Sequence, residues 1–237
     1  MTPVTDAPLW CVVPAAGRGS RFGGDIPKQY LPLAGEPMLM RTLQRLASSP
    51  RIAGLIVVLA KDDPHWAGGA EANGKKILVA EGGNDRSDSV LSGLHTLRGR
   101  ISDREFVLVH DAARPCVRIE DISKLIDEGI PAGGALLAAP LRDTLKRADE
   151  NARVASTEPR DSRWRALTPQ LFRLGELIAA LESARAAGVT VTDEAMAMER
   201  DGHRPLLVEG SEDNIKVTTP ADLSLAEFIL QRQRACE

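Results

Sequence analysis

Hydrophobic positions in this chain gather into short unbroken runs instead of alternating with polar ones. LWCVV (9–13), GLIVVLA (54–60), KILVA (76–80), FVLVH (106–110) and GALLAAP (134–140) are such runs. A strand covered on both faces of a sheet reads this way. Between them, 38–47, 89–97 and 119–130 carry apolar residues at helical spacing. Strand, helix and strand in repetition predict an α/β, Rossmann-like fold, a mostly parallel sheet with helices on both faces. Beyond Pro140 the pattern breaks. Residues 142–163 are polar, and Thr144–Leu145 and Val154–Ala155 are the strand-like patches that flank RADENAR (147–153). So long a polar stretch is no quiet connection inside a domain, and a projecting β-hairpin arm is expected. An amphipathic helix follows over 171–187, closed by Gly188, and RPLLVEG (204–210) and NIKVT (214–218) read as short strands. Thr219 and Pro220 suit the N-cap and first turn of a last helix reaching through 223–231. Without repeats or a linker, residues 1–237 are expected to form one domain with an arm at 142–163.

Composition narrows the class. Apolar residues make up 43% and charged residues 27%, as in a globular protein, while aromatics are only 3%, so Ala, Val, Leu and Ile must build the core. A net charge of −3 argues against broad nucleic-acid binding. Cys11, Cys116 and Cys236 are odd in number and far apart, which suits a reducing cytoplasm and neither a disulfide framework nor a zinc site. The opening MTPVTDAPLW has no basic segment ahead of an apolar one, so no secretory signal is expected. The apolar runs fall far short of the roughly 20 residues a membrane-spanning helix needs.

Candidate chemistry starts directly after the first run. PAAGRGSRFGGDIPKQY (14–30) holds Gly17, Gly19, Gly23 and Gly24 with Arg18, Arg21 and Lys28. Open α/β sheets bind ligands beyond the carboxyl ends of their strands. Glycines there let backbone N–H groups of Ala15, Ala16, Gly17 and Gly19 approach an anion. Two familiar loops fail on spacing: Phe22 stands where G-x-G-x-x-G needs glycine, and Asp25 and Ile26 stand where a Walker loop needs Lys and Ser or Thr. A glycine-rich surface turn with scattered charges remains open on these residues alone.

The longer pattern is more specific. PAAGRGSRF with PKQY resembles the nucleotide-binding signature of sugar-phosphate nucleotidyltransferases. With EGGNDRSDSV (81–90), VHDAARP (109–115), ALTPQ (166–170), TDEA (192–195) and EGSEDNIKVT (209–218) in this order, the chain resembles the 2-C-methyl-D-erythritol 4-phosphate cytidylyltransferase family over nearly its whole length. The resemblance implies transfer of CMP from CTP to methylerythritol 4-phosphate with release of pyrophosphate, in isoprenoid precursor synthesis. It places Arg21, Lys28 and Lys216 at the phosphates as catalytic cations. It implies nucleotide contacts from Ala15, Ala16, Gly17, Gly19, Gly83, Arg86, Ser89 and Asp111. Acceptor contacts fall to Asp111, Arg114, Thr144, Thr192 and Lys216, with Arg160 (or Arg163 in its place) reaching the partner's site across a homodimer. A magnesium ion is expected to arrive mainly on the CTP phosphates, with no firm protein ligand; Asp111 can accept from substrate hydroxyls or from water around it.

Bland readings stand beside these. Lys28 and Lys216 are of a type usually found as solvated surface charges. Asn84, Asp85 and Ser87 are ordinary turn and cap residues, an Asp111–Arg114 pair is commonly a salt bridge, and His110 is expected to shape its turn. Gly83→Val is expected to hinder the base while leaving the fold intact. Another polyol phosphate such as ribitol 5-phosphate is the alternative acceptor, and a non-catalytic nucleotide-binding regulator the alternative of another class. Phe22 makes a dehydrogenase the weaker reading.

Overall fold

The computed structural model describes residues 8–17 and 26–235 of the chain. Its strands are β1 (Leu9–Pro14), β2 (Pro32–Leu33), β3 (Glu36–Pro37), β4 (Ile52–Leu59), β5 (Glu71–Ala72), β6 (Lys75–Glu81), β7 (Phe106–Val109), β8 (Ala135–Pro140), β9 (Leu145–Ala148), β10 (Val154–Glu158), β11 (Trp164–Arg173) and β12 (Leu206–Glu209). The helices are α1 (Met38–Ala47), α2 (Arg86–Leu97), α3 (Ile119–Ala132), α4 (Leu174–Ala186), α5 (Glu194–Arg200) and α6 (Pro220–Arg234).

Eight strands form the main sheet in the order β12-β8-β11-β7-β1-β4-β6-β5. The neighbours β7, β1, β4 and β6 run parallel; β7, β1 and β4 are buried almost throughout, whereas β6 alternates. Strand alternation then divides the core. Cys11, Val13, Leu55 and Val57 face α1 and α3 on one side. Val12, Ile56 and Val58 face α2 on the other, where α4 and α5 complete the layer. A smaller cluster, Leu33, Met38, Cys116, Val217, Ala226 and Leu230, seats α6 at the sheet's end. Among the described residues, no helix is long and apolar enough to cross a membrane.

The α/β class and the parallel strands agree with the sequence reading, and two local expectations do not. Leu171 and Phe172 belong to a strand, β11, and the helix begins only at Leu174. β11 runs antiparallel between β7 and β8, and both of its faces are covered from Leu167 to Phe172, so no alternation marks it. A proline is out of place in the ladder of a central strand, but Pro169 sits where the register skips from Ala166↔Ala138 to Gln170↔Leu136, an irregularity that excuses it. NIKVT is not a strand: 214–218 is irregular chain packed through Val217. The short helix α5, capped by Asp193 accepting from the N–H of Met196, was unforeseen.

Residues 145–158 do form an antiparallel hairpin, β9 with β10, separate from the main sheet. Its strands are largely exposed, with Val154 66% accessible.

Candidate active site

The carboxyl ends of β1, β6 and β7 converge on one cleft of about 240 Å3, lined by Pro14, Ala15, Ala16, Gly17, Lys28, Gln29, Gly83, Asn84, Asp85, Arg86, Ser89, Asp111, Ala112, Ala113 and Lys216. Local chemistry sets its walls. The loop after β1 is held by the Ala15 N–H donating to Val58 O (2.7 Å) and by the buried Gln29 amide donating to Ala15 O (2.7 Å). A Cβ on Gly82 would lie 2.4 Å from Cβ of Ala16, so only glycine lets the loops after β1 and β6 meet. Asp85 caps α2 by accepting from the Asp88 N–H, and the Ser89 hydroxyl donates to Asp85 O while accepting from the Gly83 N–H. A Cβ on Gly83 would lie 2.3 Å from Cβ of Asp88. The expectation that Gly83→Val spares the fold therefore fails, because the added side chain collides with the first turn of α2.

A second pocket of about 210 Å3 adjoins the first and shares Arg86, Asp111 and Lys216 with it. Its other walls include Arg114, Thr168, Gln170, Thr192 and Asp193. The three shared residues form the partition. Asp111 takes Arg86 at 3.0 Å, Lys216 at 2.8 Å and Arg114 at 3.5 Å. Burial alone would raise the Asp111 carboxyl, but the charges of Arg86 and Lys216, then Arg114, outweigh it and hold the group well below the usual carboxylate range. Arg86 also grips Glu194 through both terminal nitrogens, at 2.6 and 3.1 Å, and that carboxylate is 1% exposed.

His110 and Thr168 hold the turn that carries Asp111. Nε2 of His110 lies 3.0 Å from Arg114 O, which can only accept, so Nε2 bears the proton. Nδ1 then accepts from the Thr168 hydroxyl at 3.0 Å, and that oxygen accepts from the Asp111 N–H at 3.1 Å. Complete burial lowers the imidazole to about 4, so the ring is neutral at physiological pH. The chain from 214 to 217 closes the site. Arg114 donates to Asn214 O at 2.7 Å, Asn214 to Thr168 O at 2.7 Å, and Lys28 to Val217 O at 3.1 Å.

Of the candidate residues, Ala15, Ala16, Gly17, Lys28, Gly83, Arg86, Ser89, Asp111 and Lys216 line the first cleft, and Arg114 and Thr192 join the second pocket. Thr144 and Arg160 line neither; both are exposed, at the base and the end of the arm. Gly19 and Arg21 lie outside the described residues. Sequence reasoning missed Glu194, Thr168, Gln29 and Asn214, although they sit inside TDEA, ALTPQ, PKQY and EGSEDNIKVT. Among the described residues, no group of three or more His, Cys, Asp and Glu side chains could hold a metal ion; Asp85 and Asp111 are the carboxylates lining the first cleft.

Residues 9–232 match the family model of 2-C-methyl-D-erythritol 4-phosphate cytidylyltransferase. A protein of that name from Stenotrophomonas maltophilia (strain K279a) is 56% identical, over 96% of this chain and 98% of its own. Two crystal structures bearing the same name share the fold. The one from Francisella tularensis is 35% identical with a TM-score of 0.80, covering 94% of this chain and all (100%) of its own. The other, from Thermus thermophilus, is 29% identical with a TM-score of 0.77, covering 94% and 99%. A cleft of glycines and cations at the ends of parallel strands, carried by a chain alike over nearly its whole length, leads to one conclusion: this chain belongs to the 2-C-methyl-D-erythritol 4-phosphate cytidylyltransferase family.

Proposed function

We propose that the protein transfers CMP from CTP to 2-C-methyl-D-erythritol 4-phosphate, releasing pyrophosphate and forming 4-diphosphocytidyl-2-C-methyl-D-erythritol for isoprenoid precursors by the non-mevalonate route. The observation that carries this reading, within that family, is the partition of Arg86, Asp111 and Lys216 between two adjoining pockets. Nucleotide lies in the first, acceptor in the second, and the reacting phosphates meet at the partition.

The acceptor phosphate has a second pKa of about 6, so it is largely dianionic at neutral pH and needs no general base. One of its oxygens attacks the α-phosphorus as the bond to the bridging oxygen of pyrophosphate breaks. The protein supplies alignment and positive charge. Lys28 and Lys216, which both line the cleft, hold the phosphates, with Arg21 as a third cation. Gly17 and its neighbours offer backbone N–H groups, and Asn84 and Gly83 border the base. Arg114 and Thr192 hold the acceptor. A magnesium ion, when bound, would offset the triphosphate charge and would need only one or two carboxylates besides substrate oxygens and water. Asp111, whose own oxygens are held by Arg86, Lys216 and Arg114, would be placed to accept from a water on such an ion.

A homodimer joined through the arm belongs to the same reading. A two-stranded hairpin is marginal in water, and this one leaves Val154 uncovered. Arg160 then holds the acceptor phosphate in the neighbouring subunit's second pocket. Buried, free Cys11 and Cys116 accord with a cytoplasmic protein.

Pyrophosphate release from CTP tests the acceptor. Turnover is expected with methylerythritol 4-phosphate, and roughly 100-fold or more lower kcat/KM with ribitol 5-phosphate. Equal or better use of ribitol 5-phosphate overturns the assignment, and no release with any polyol phosphate favours a non-catalytic regulator.

A further inference from the structure

We propose that Glu194 is a positioning residue for the transfer: its buried carboxylate aims the Arg86 guanidinium across the partition and, through Arg86, sets the Asp111–Lys216 pair. The inference rests on the assignment of Arg86 and Lys216 to the substrates. Arg86 is the residue that both pockets share with α2, and it is pinned from two sides. Its Nε and one terminal nitrogen meet Asp111 at 3.1 and 3.0 Å. Both terminal nitrogens meet Glu194, at 2.6 and 3.1 Å. The result is an alternating line, Glu194⁻, Arg86⁺, Asp111⁻, Lys216⁺, that begins at a fully buried carboxylate and ends at a lysine 40% exposed in the cleft.

Glu194 touches neither pocket. A carboxylate 1% exposed is costly unless paired, so its position in α5 is explained by the fork it holds. Without its charge Arg86 has one anionic partner left. The guanidinium then turns fully onto Asp111 and competes with Lys216 for the oxygen that holds the lysine. The five charges of the cluster (Arg86, Arg114, Lys216, Asp111, Glu194) become more positive by one, so attraction for the triphosphate is not weakened. Alignment suffers while affinity does not.

The experiment compares wild type, Glu194→Gln, Arg86→Gln and the double variant by steady-state kinetics with CTP and methylerythritol 4-phosphate, alongside thermal unfolding. Glu194→Gln keeps the side chain's length and one hydrogen bond. It is expected to lower kcat about tenfold with KM for CTP changed less than about twofold. If Glu194 acts through Arg86, the double variant is no slower than Arg86→Gln, and it regains thermal stability because no carboxylate is left buried without a partner. A wild-type kcat in Glu194→Gln, or a further tenfold fall when it is added to Arg86→Gln, overturns the inference. If Glu194→Gln does not fold, the last comparison alone decides. Full activity in Arg86→Gln would instead overturn the assignment of Arg86 to the site.

Discussion

A neutral histidine sealed inside the Asp111 turn makes that turn sensitive to acid. The ordinary imidazole value is 6.5 and His110 in the fold is lowered to about 4. The unfolded chain therefore takes up a proton first as pH falls, and folding pays no penalty above pH 6.5. Between 6.5 and 4 His110 is expected to remove about 1.4 kcal/mol of stability per pH unit, reaching about 3 kcal/mol. Below 4 both states are protonated and the loss levels off. Denaturant unfolding at pH 7, 6 and 5 measures the slope. His110→Asn keeps an acceptor toward Thr168 and has no proton to gain, so its stability should fall less steeply by about one proton's worth. Parallel slopes for the two proteins would mean that His110 titrates normally in the fold. Asp111 contributes in a different window: held low by its cations, it loses its contribution only as pH falls beneath the ordinary carboxylate range.

At the scale of elements, one glycine decides how closely α2 lies on the sheet, and so where Arg86 and Ser89 stand. A Cβ on Gly93 would lie 2.6 Å from Cγ1 of Val12 and 2.8 Å from Cγ2 of Val58. Helix propensity alone favours Gly93→Ala by about 1 kcal/mol. Both contacts, however, are stiff branched side chains in central strands, and overpacking costs about 1–3 kcal/mol. Net destabilisation with a lowered kcat/KM is expected, read by thermal unfolding and kinetics; a stabilised variant would show that the helix has room to lift. Gly93 illustrates what the chain discloses by pattern. The parallel strands β1, β4 and β7 were legible because burial on both faces leaves unbroken apolar runs, and the cap of α6 because Thr219–Pro220 has few other uses. β11 was not legible, since Pro169 and an unalternating LFR look like a loop and a helix start. The glycine and lysine positions of the site stood out for the same reason as the caps: their spacing is rare. Glu194 did not, because a paired buried carboxylate looks like any surface glutamate until its partner, 108 positions away, is placed beside it.

For the whole molecule the arm is the test. The Arg142 and Arg165 side chains meet Glu212 at 2.5 and 3.4 Å, fixing the arm's root to the chain that carries Lys216. Arg160, exposed and hydrogen-bonded to Arg142 O, lines neither pocket of its own chain. Lys28→Ala and Arg160→Ala are each expected to be nearly inactive. Unfolded together and refolded as an equal mixture, they should regain about one working site in four if Arg160 serves the neighbouring subunit of a two-fold dimer. Heterodimers that form without recovering activity would return Arg160 to its own chain.

The closing of the cleft by 214–217 also bears on when a newly made chain can hold nucleotide. Lys28 reaches Val217, 189 positions away, Arg114 reaches Asn214, 100 away, and Lys216 completes the partition. The β1–β4–β6–β7 half of the sheet carries most of the cleft's walls, but until 214–217 docks it lacks Lys216 and the acceptors of Lys28 and Arg114, so it is expected to hold CTP more weakly than the complete fold. Nucleotide affinity is instead expected to rise when segment 214–217 docks and brings Lys216 to the partition. The ligand's stabilisation therefore goes mainly to chains in which 214–217 has docked.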